Sequence, residues 1–143
     1  MTINALIILT LSWFSPQTTD SDQIIGNWIS PNKDLIIHCF KGNDGKYHGK
    51  MAWFKVYPGD ETHYDCDVSQ EQWVGKTVLT KFTYQDNEWS GGTIKDLKKC
   101  SNYDAFIVLE PNGELTATGF IFFRWLSQST TFSRYLGVLP KQE

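Results

Sequence analysis

Apolar and polar side chains alternate along most of this chain, in short runs broken by turn signals at nearly even spacing. The signals are PNK at 31–33, GNDG at 42–45, PGDE at 58–61, QDNE at 85–88, DLKKCSN at 96–102 and PNGE at 111–114. Between them lie segments rich in Ile, Val, Thr, Phe, Tyr and Trp, the composition of strands. No segment carries a long apolar rhythm of period 3.6. From Lys76 to Tyr84 the period is two, which predicts Val78, Thr80, Phe82 and Tyr84 on one face. Leu115, Ala117, Gly119, Ile121, Phe123 and Trp125 share another such face; its reverse begins with Thr116 and Thr118 and turns aromatic at Phe120 and Phe122.

The pattern predicts eight strands, near 24–30, 33–41, 46–57, 73–84, 88–95, 102–110, 114–125 and 129–136. Most links are two to five residues, which makes chain neighbours antiparallel. A meander of eight strands loses its open edges by closing on itself. The expected fold class is therefore all-β, an eight-stranded antiparallel up-and-down barrel. At eight strands the interior is either filled by side chains or holds one small ligand. Glycines at Ser90-Gly91-Gly92 and at Gly119 suit the bends of closure. One link breaks the pattern: PGDETHYDCDVSQEQ, 58–72, has five acids and no Lys or Arg. A link of that length is the least framework-like part of the domain.

Composition sharpens this picture. The chain has 143 residues, 15% aromatic with six tryptophans, and a net charge of −3. That suits one domain with a large core. With no basic stripe, nucleic acid is a poor partner. The run ALIILTLSWF at 5–14 is too short to span a bilayer, which takes ~20 apolar residues. It fits the apolar region of a secretory signal, although no Lys or Arg precedes it and no A-x-A follows. The expected layout is a signal peptide or disordered segment at 1–22 and a single barrel domain at 23–138, exported to the periplasm or secreted.

Motifs in this order and spacing make the chain resemble a bacterial family of small exported proteins, domain of unknown function 2147. They are Gly26-x-Trp28, Tyr47-x-Gly49-Lys50-x-x-Trp53, Gly75 with Val78 and Leu79, and Trp89-x-Gly91-Gly92-x-Ile94-x-Asp96. Tyr103, Leu115 with Gly119-Phe120, and Phe132-x-Arg134 complete the set. The resemblance runs from Ile24 to about Tyr135 and implies a lipocalin-like, calycin-type barrel. It brings no established reaction. The chain departs from the family pattern at Thr118, at Ser127-Gln128-Ser129 and in the LKKCSN loop after Asp96.

Several residues carry candidate roles. In calycin-type barrels a first-strand Trp is often covered by an Arg from the last strand, so Trp28 and Arg134 are expected to close one end by a cation–π contact. In GKYHGKMAWF at 45–54, Tyr47, Gly49, Met51 and Trp53 are expected on one face, with His48, Lys50, Ala52 and Phe54 on the other. This reads as a half-buried strand. Lys50 and Arg124, if they face inward, are candidate polar anchors for a ligand, with Trp53 and Tyr103 beside it. A cation there needs a partner or an anionic ligand.

A hairpin turn at Asn43-Asp44-Gly45 sets His38 across from Lys50 and His48 across from Phe40. No zinc or calcium motif is present, and no cofactor is expected. Cys39 reads as a buried hydrophobe, while Cys66 and Cys100 form the pair for a possible disulfide.

The function these features favour is an exported, non-catalytic binding module for a small apolar or amphipathic molecule. One alternative is a filled barrel that meets protein or cell envelope through outer aromatics. The other is a metal-dependent or hydrolytic enzyme around His63 and Cys66, for which the chain has no G-x-S-x-G elbow or recognisable dyad.

Overall fold

The computed structural model describes residues 20–58, 70–120 and 127–142. Eight strands follow one another as β1 (Gly26–Ile29), β2 (Leu35–Lys41), β3 (Tyr47–Phe54), β4 (Thr77–Gln85), β5 (Glu88–Asp96), β6 (Ser101–Leu109), β7 (Leu115–Phe120) and β8 (Ser127–Arg134). Each pairs antiparallel with its chain neighbour, and β8 returns to pair with β1, closing the barrel. The expected fold class is the observed one. The β2–β3 register also follows the expected turn, with His38 opposite Lys50 and Phe40 opposite His48.

The up-and-down path gives the barrel two different ends. The β2–β3, β4–β5 and β6–β7 turns lie at one end, together with the start of β1 and the end of β8. The β1–β2, β3–β4, β5–β6 and β7–β8 connections lie at the other. A 3-10 helix, Asp20–Ile24, precedes β1 and caps the first end. Its last residue, Ile24, is fully buried, as are Trp28, Phe82 and Trp89 beneath the helix.

Bulges explain where strict alternation fails. On β3, Ile36 pairs with Trp53 but Ile37 with Met51, so Ala52 is an extra residue. Met51 and Phe54 both turn inward, and Trp53 is displaced to the outer face. On β4, two extra residues intervene against Tyr47, Gly49 and Lys50, and Lys81 takes the left-handed conformation at φ 60°. Val78, Leu79 and Phe82 are all buried as a result, where simple alternation puts Leu79 on the opposite face. On β5, Gly91 (φ 75°) is the extra residue that lets both Trp89 and Gly92 face the interior.

Several boundaries differ from the sequence reading. The segment near 73 is not strand: Gln70–Gln72 is a 3-10 turn and Trp73 leads a further turn into β4. Ser21 and Asp22, in the stretch expected to precede the barrel domain, belong to the capping helix. After β8, the chain returns along the outside beyond residue 138. The Trp53 indole donates to the Lys141 carbonyl, and the Gln142 side-chain amide both accepts from Phe54 N–H and donates to Phe54 C=O. The expected strand through 125 covers residues 121–126, which lie outside the described residues.

Gly92 marks a close approach between β4 and β5. A Cβ there would sit 2.5 Å from the Thr80 carbonyl oxygen and 2.6 Å from two Phe82 ring carbons. The obstacle is partly backbone, so it cannot rotate away. Gly92→Ala is expected to lower stability by about 1–3 kcal/mol through overpacking, read as a lower urea midpoint at unchanged m-value. A variant as stable as the parent would mean that β4 and β5 stand further apart.

Candidate functional site

The capped end is built around the indole of Trp28, which is 1% exposed. Its N–H donates to the Ile24 carbonyl at 2.8 Å. Arg134 pairs with Trp28 across β1 and β8, and its guanidinium carbon lies 4.3 Å from the Trp28 ring centroid. The same guanidinium donates to the carbonyls of Gln23 and Ile25. Gly26 permits this approach: it holds φ 129°, and a Cβ on it would fall 2.9 Å from Arg134 Nη1. The Trp89 indole donates to the Ser21 carbonyl at 3.1 Å, and the Tyr47 hydroxyl donates to the Asp22 carboxylate at 2.6 Å. Burial, then that carboxylate, raises the Tyr47 phenol above its usual range. The polar groups named here are spent on the 3-10 helix.

The opposite half encloses a cavity of about 790 Å³. That volume lies in the roughly 300–1,000 Å³ range of small-molecule sites. Its floor is Trp28, Cys39, Ile107, Leu115 and Phe132, and its walls are Ile37, Met51, Leu79 and Ile94. Trp73 and Leu35 flank it nearer the mouth, where the Trp73 ring packs at a 52° tilt against Phe54 with ring centroids 5.0 Å apart. The polar lining gathers at the mouth, in the Lys95–Lys99 stretch, Tyr103, Ser127, Gln128 and Thr130. Burial pushes the Cys39 thiol up to about 12, against the opposing pull of Arg134. The floor thiol is therefore neutral and a poor nucleophile.

The expected anchors separate on inspection. Tyr103 lines the cavity. Lys50 does not: it is exposed on the outer face, with its ammonium 5.9 Å from the Phe40 ring centroid. Strand parity turns Lys50 outward with His48 while Gly49 and Met51 turn in. Trp53 does not line the cavity either, because the Ala52 bulge moved it outside. Arg124 lies outside the described residues. So does Cys66; Cys100 is disulfide-bonded, and Cys39 is a free buried thiol. Sequence reasoning missed Cys39, Ile94 and the Lys95–Lys99 turn as lining. The first was legible, since Cys39 shares strand parity with Ile37; the turn lysines looked like ordinary solvated charge.

The two described histidines serve the outer wall. His48 Nδ1 accepts from the Lys81 N–H at 3.3 Å, and its Nε2 faces the Asp44 carboxylate at 3.0 Å. It thus satisfies the amide stranded by the β4 bulge. The Lys46 amide and His48 together hold the Asp44 carboxyl below the usual range. His38 bonds Asn27 and stacks toward Phe40; burial and then Lys50 lower its pKa. Among the described residues, no three His, Cys, Asp or Glu side chains gather to hold a metal ion. The expected catalytic alternative at His63 and Cys66 lies outside the described residues.

A closed eight-stranded meander, capped at one end and hollow at the other, is a lipocalin-like barrel. The chain belongs to the family described as uncharacterized protein conserved in bacteria (DUF2147), whose model matches residues 26–134. Among solved structures it is similar to protein HP1028 from the human pathogen Helicobacter pylori, described as belonging to the lipocalin family. That likeness has a TM-score of 0.59 at 15% identity, and covers 78% of this chain and 82% of the other. At that identity it speaks for the fold alone. No curated protein matches the chain. No helix of the described residues is long and apolar enough to cross a membrane.

Arg134→Met keeps an apolar stem over the indole but removes the charge and both donors. It is expected to cost about 1–2 kcal/mol, combining a cation–π contact with two solvent-exposed hydrogen bonds to the carbonyls of Gln23 and Ile25. Arg134→Lys is expected to recover only part, because an ammonium has no planar fork. Urea denaturation checks both; an unchanged midpoint for Arg134→Met would show that the cap holds without the guanidinium.

Proposed function

We propose that this protein is a non-catalytic binding module that takes a small, partly apolar molecule into the open end of its barrel. The cavity of about 790 Å³, with apolar walls and polar groups confined to its mouth, carries this reading. An apolar ligand gains by leaving water for such walls, at about 25 cal/mol per Å² of its buried surface. The polar mouth supplies orientation. A neutral thiol at the floor favours binding over covalent capture.

The reading is tested with a neutral apolar fluorophore, N-phenyl-1-naphthylamine. The parent is expected to give a saturable, one-to-one rise in emission. Ala117 lines the cavity on β7, so Ala117→Phe places a ring in the ligand's space. It is expected to weaken binding by about tenfold or more, a difference of some 1.4 kcal/mol, with little change in urea midpoint. No saturable signal from the parent would sink the reading.

Export is part of the same proposal. The apolar run at 5–14 supports it, and so does a disulfide at Cys100, since such bonds persist in oxidising compartments. We take Cys66 as the partner of Cys100. Iodoacetamide is then expected to label no thiol in the native protein and one, Cys39, after unfolding without reductant. Reduction of the unfolded chain exposes all three. Two labels before reduction would contradict the pairing.

A second reading, contact with protein or envelope, draws on the C-terminal return segment. There Leu136 is 88% and Val138 91% exposed. If contact through these side chains is the function, Leu136→Ser with Val138→Ser abolishes it and leaves fluorophore binding untouched.

A further inference from the structure

The mouth of the cavity has an excess of hydrogen-bond donors. Lys95, Asp96, Leu97, Lys98 and Lys99 follow one another around the β5–β6 turn, and all contribute to the lining. Asp96 is the one carboxylate among the described lining residues. Its Oδ1 accepts from the backbone amides of Lys98 and Lys99, at 2.9 and 3.2 Å, so that oxygen is committed to its own turn. Tyr103 sits beside this turn, paired with Ile94 across β5 and β6. Gln128 reaches the mouth from β8. Among the described residues, the side chains of Lys95, Lys99, Tyr103 and Gln128 make no hydrogen bond or ion pair.

Among the described residues the charge at the mouth is thus positive, on a protein whose net charge is −3. Ammonium groups beside a low-dielectric wall interact more strongly with an anion than they would in open water. An acceptor-rich headgroup satisfies lysine, phenol and amide donors together, whereas an alcohol satisfies few of them.

We propose that the cavity binds a single-chain amphiphile with an anionic oxygen headgroup, a carboxylate or a phosphate. The tail lies over Trp28, Ile107 and Leu115, and the headgroup meets Lys95 and Lys99, with Tyr103 and Gln128 as neutral donors. This rests on the cavity being a ligand site, and it adds the chemical class of the ligand. Residues 59–69, outside the described residues, carry Asp60, Glu61, Asp65 and Asp67. If those carboxylates cancel the field at the mouth, the preference for anions disappears, and the experiment reads that directly.

Isothermal titration of the full domain with dodecanoate, dodecyl phosphate and dodecanol at neutral pH separates the possibilities. All three are used below their aggregation thresholds. At low ionic strength the two anions are expected to bind about tenfold tighter than the alcohol, as charge-assisted contacts do. The gap narrows in high salt, because exposed lysines are screened. Lys95→Gln with Lys99→Gln is expected to bring both anions down to the affinity of dodecanol, which itself stays unchanged. Tighter binding of dodecanoate or of dodecyl phosphate supports the proposal either way and identifies the headgroup. Equal binding of all three overturns the anion preference and leaves the cavity reading intact. Uptake of none of them overturns both.

Discussion

Five consecutive carbonyls, from Ser21 to Ile25, each accept a hydrogen bond at the capped end of the barrel. Four of the donors come from barrel side chains: the indoles of Trp89 and Trp28 and both terminal nitrogens of Arg134. The fifth is the Ile25 amide, which closes the 3-10 turn on itself. The bonds to Ile24 and Ser21 matter most, since the first is buried and the second partly so, and a backbone oxygen left there without a partner would be costly. With one end sealed in this way, the other is where a cavity can open. The difference between the two ends of the barrel follows from that one set of contacts.

Much of the architecture was legible in the order of turns and short apolar runs. Strand number, antiparallel order and closure all follow from it, and the Asn43-Asp44-Gly45 turn fixed the β2–β3 register. What alternation cannot report is a bulge, because one extra residue reverses the parity of everything beyond it. Trp53 is the clearest case. Its strand partner and its place in the motif were readable, but its face was decided by Ala52. Leu79 moved the opposite way for the same reason. The residues responsible, Lys81 and Ala52, have no local signature that separates them from ordinary strand residues. Gly91 has one, as a glycine inside an apolar alternating run.

The candidate site was less legible than the fold. Tyr103 came from a family motif, and its place on the cavity wall depends on pairing with Ile94. Lys50 attracted attention as a cation among aromatic residues, and the same alternation that made β3 readable turns it to solvent. The lysines at the mouth stand in a turn, where polar residues are the rule. Their significance comes from the cavity they border, which is a property of eight strands together. The histidines show the converse: a His-Asp contact that resembles catalytic machinery holds a bulge in place on the outer wall.

The return segment carries a side chain that imitates backbone. Gln142 presents an amide donor and an amide acceptor to Phe54, the same pair of groups that a neighbouring strand would present. Phe54 lies past the point where β4 leaves β3, so this stretch would otherwise be an open seam. A protein ending a few residues sooner would offer that seam to any extended peptide, including another copy of itself. Gln142 therefore occupies the two backbone groups through which a foreign strand would add at Phe54.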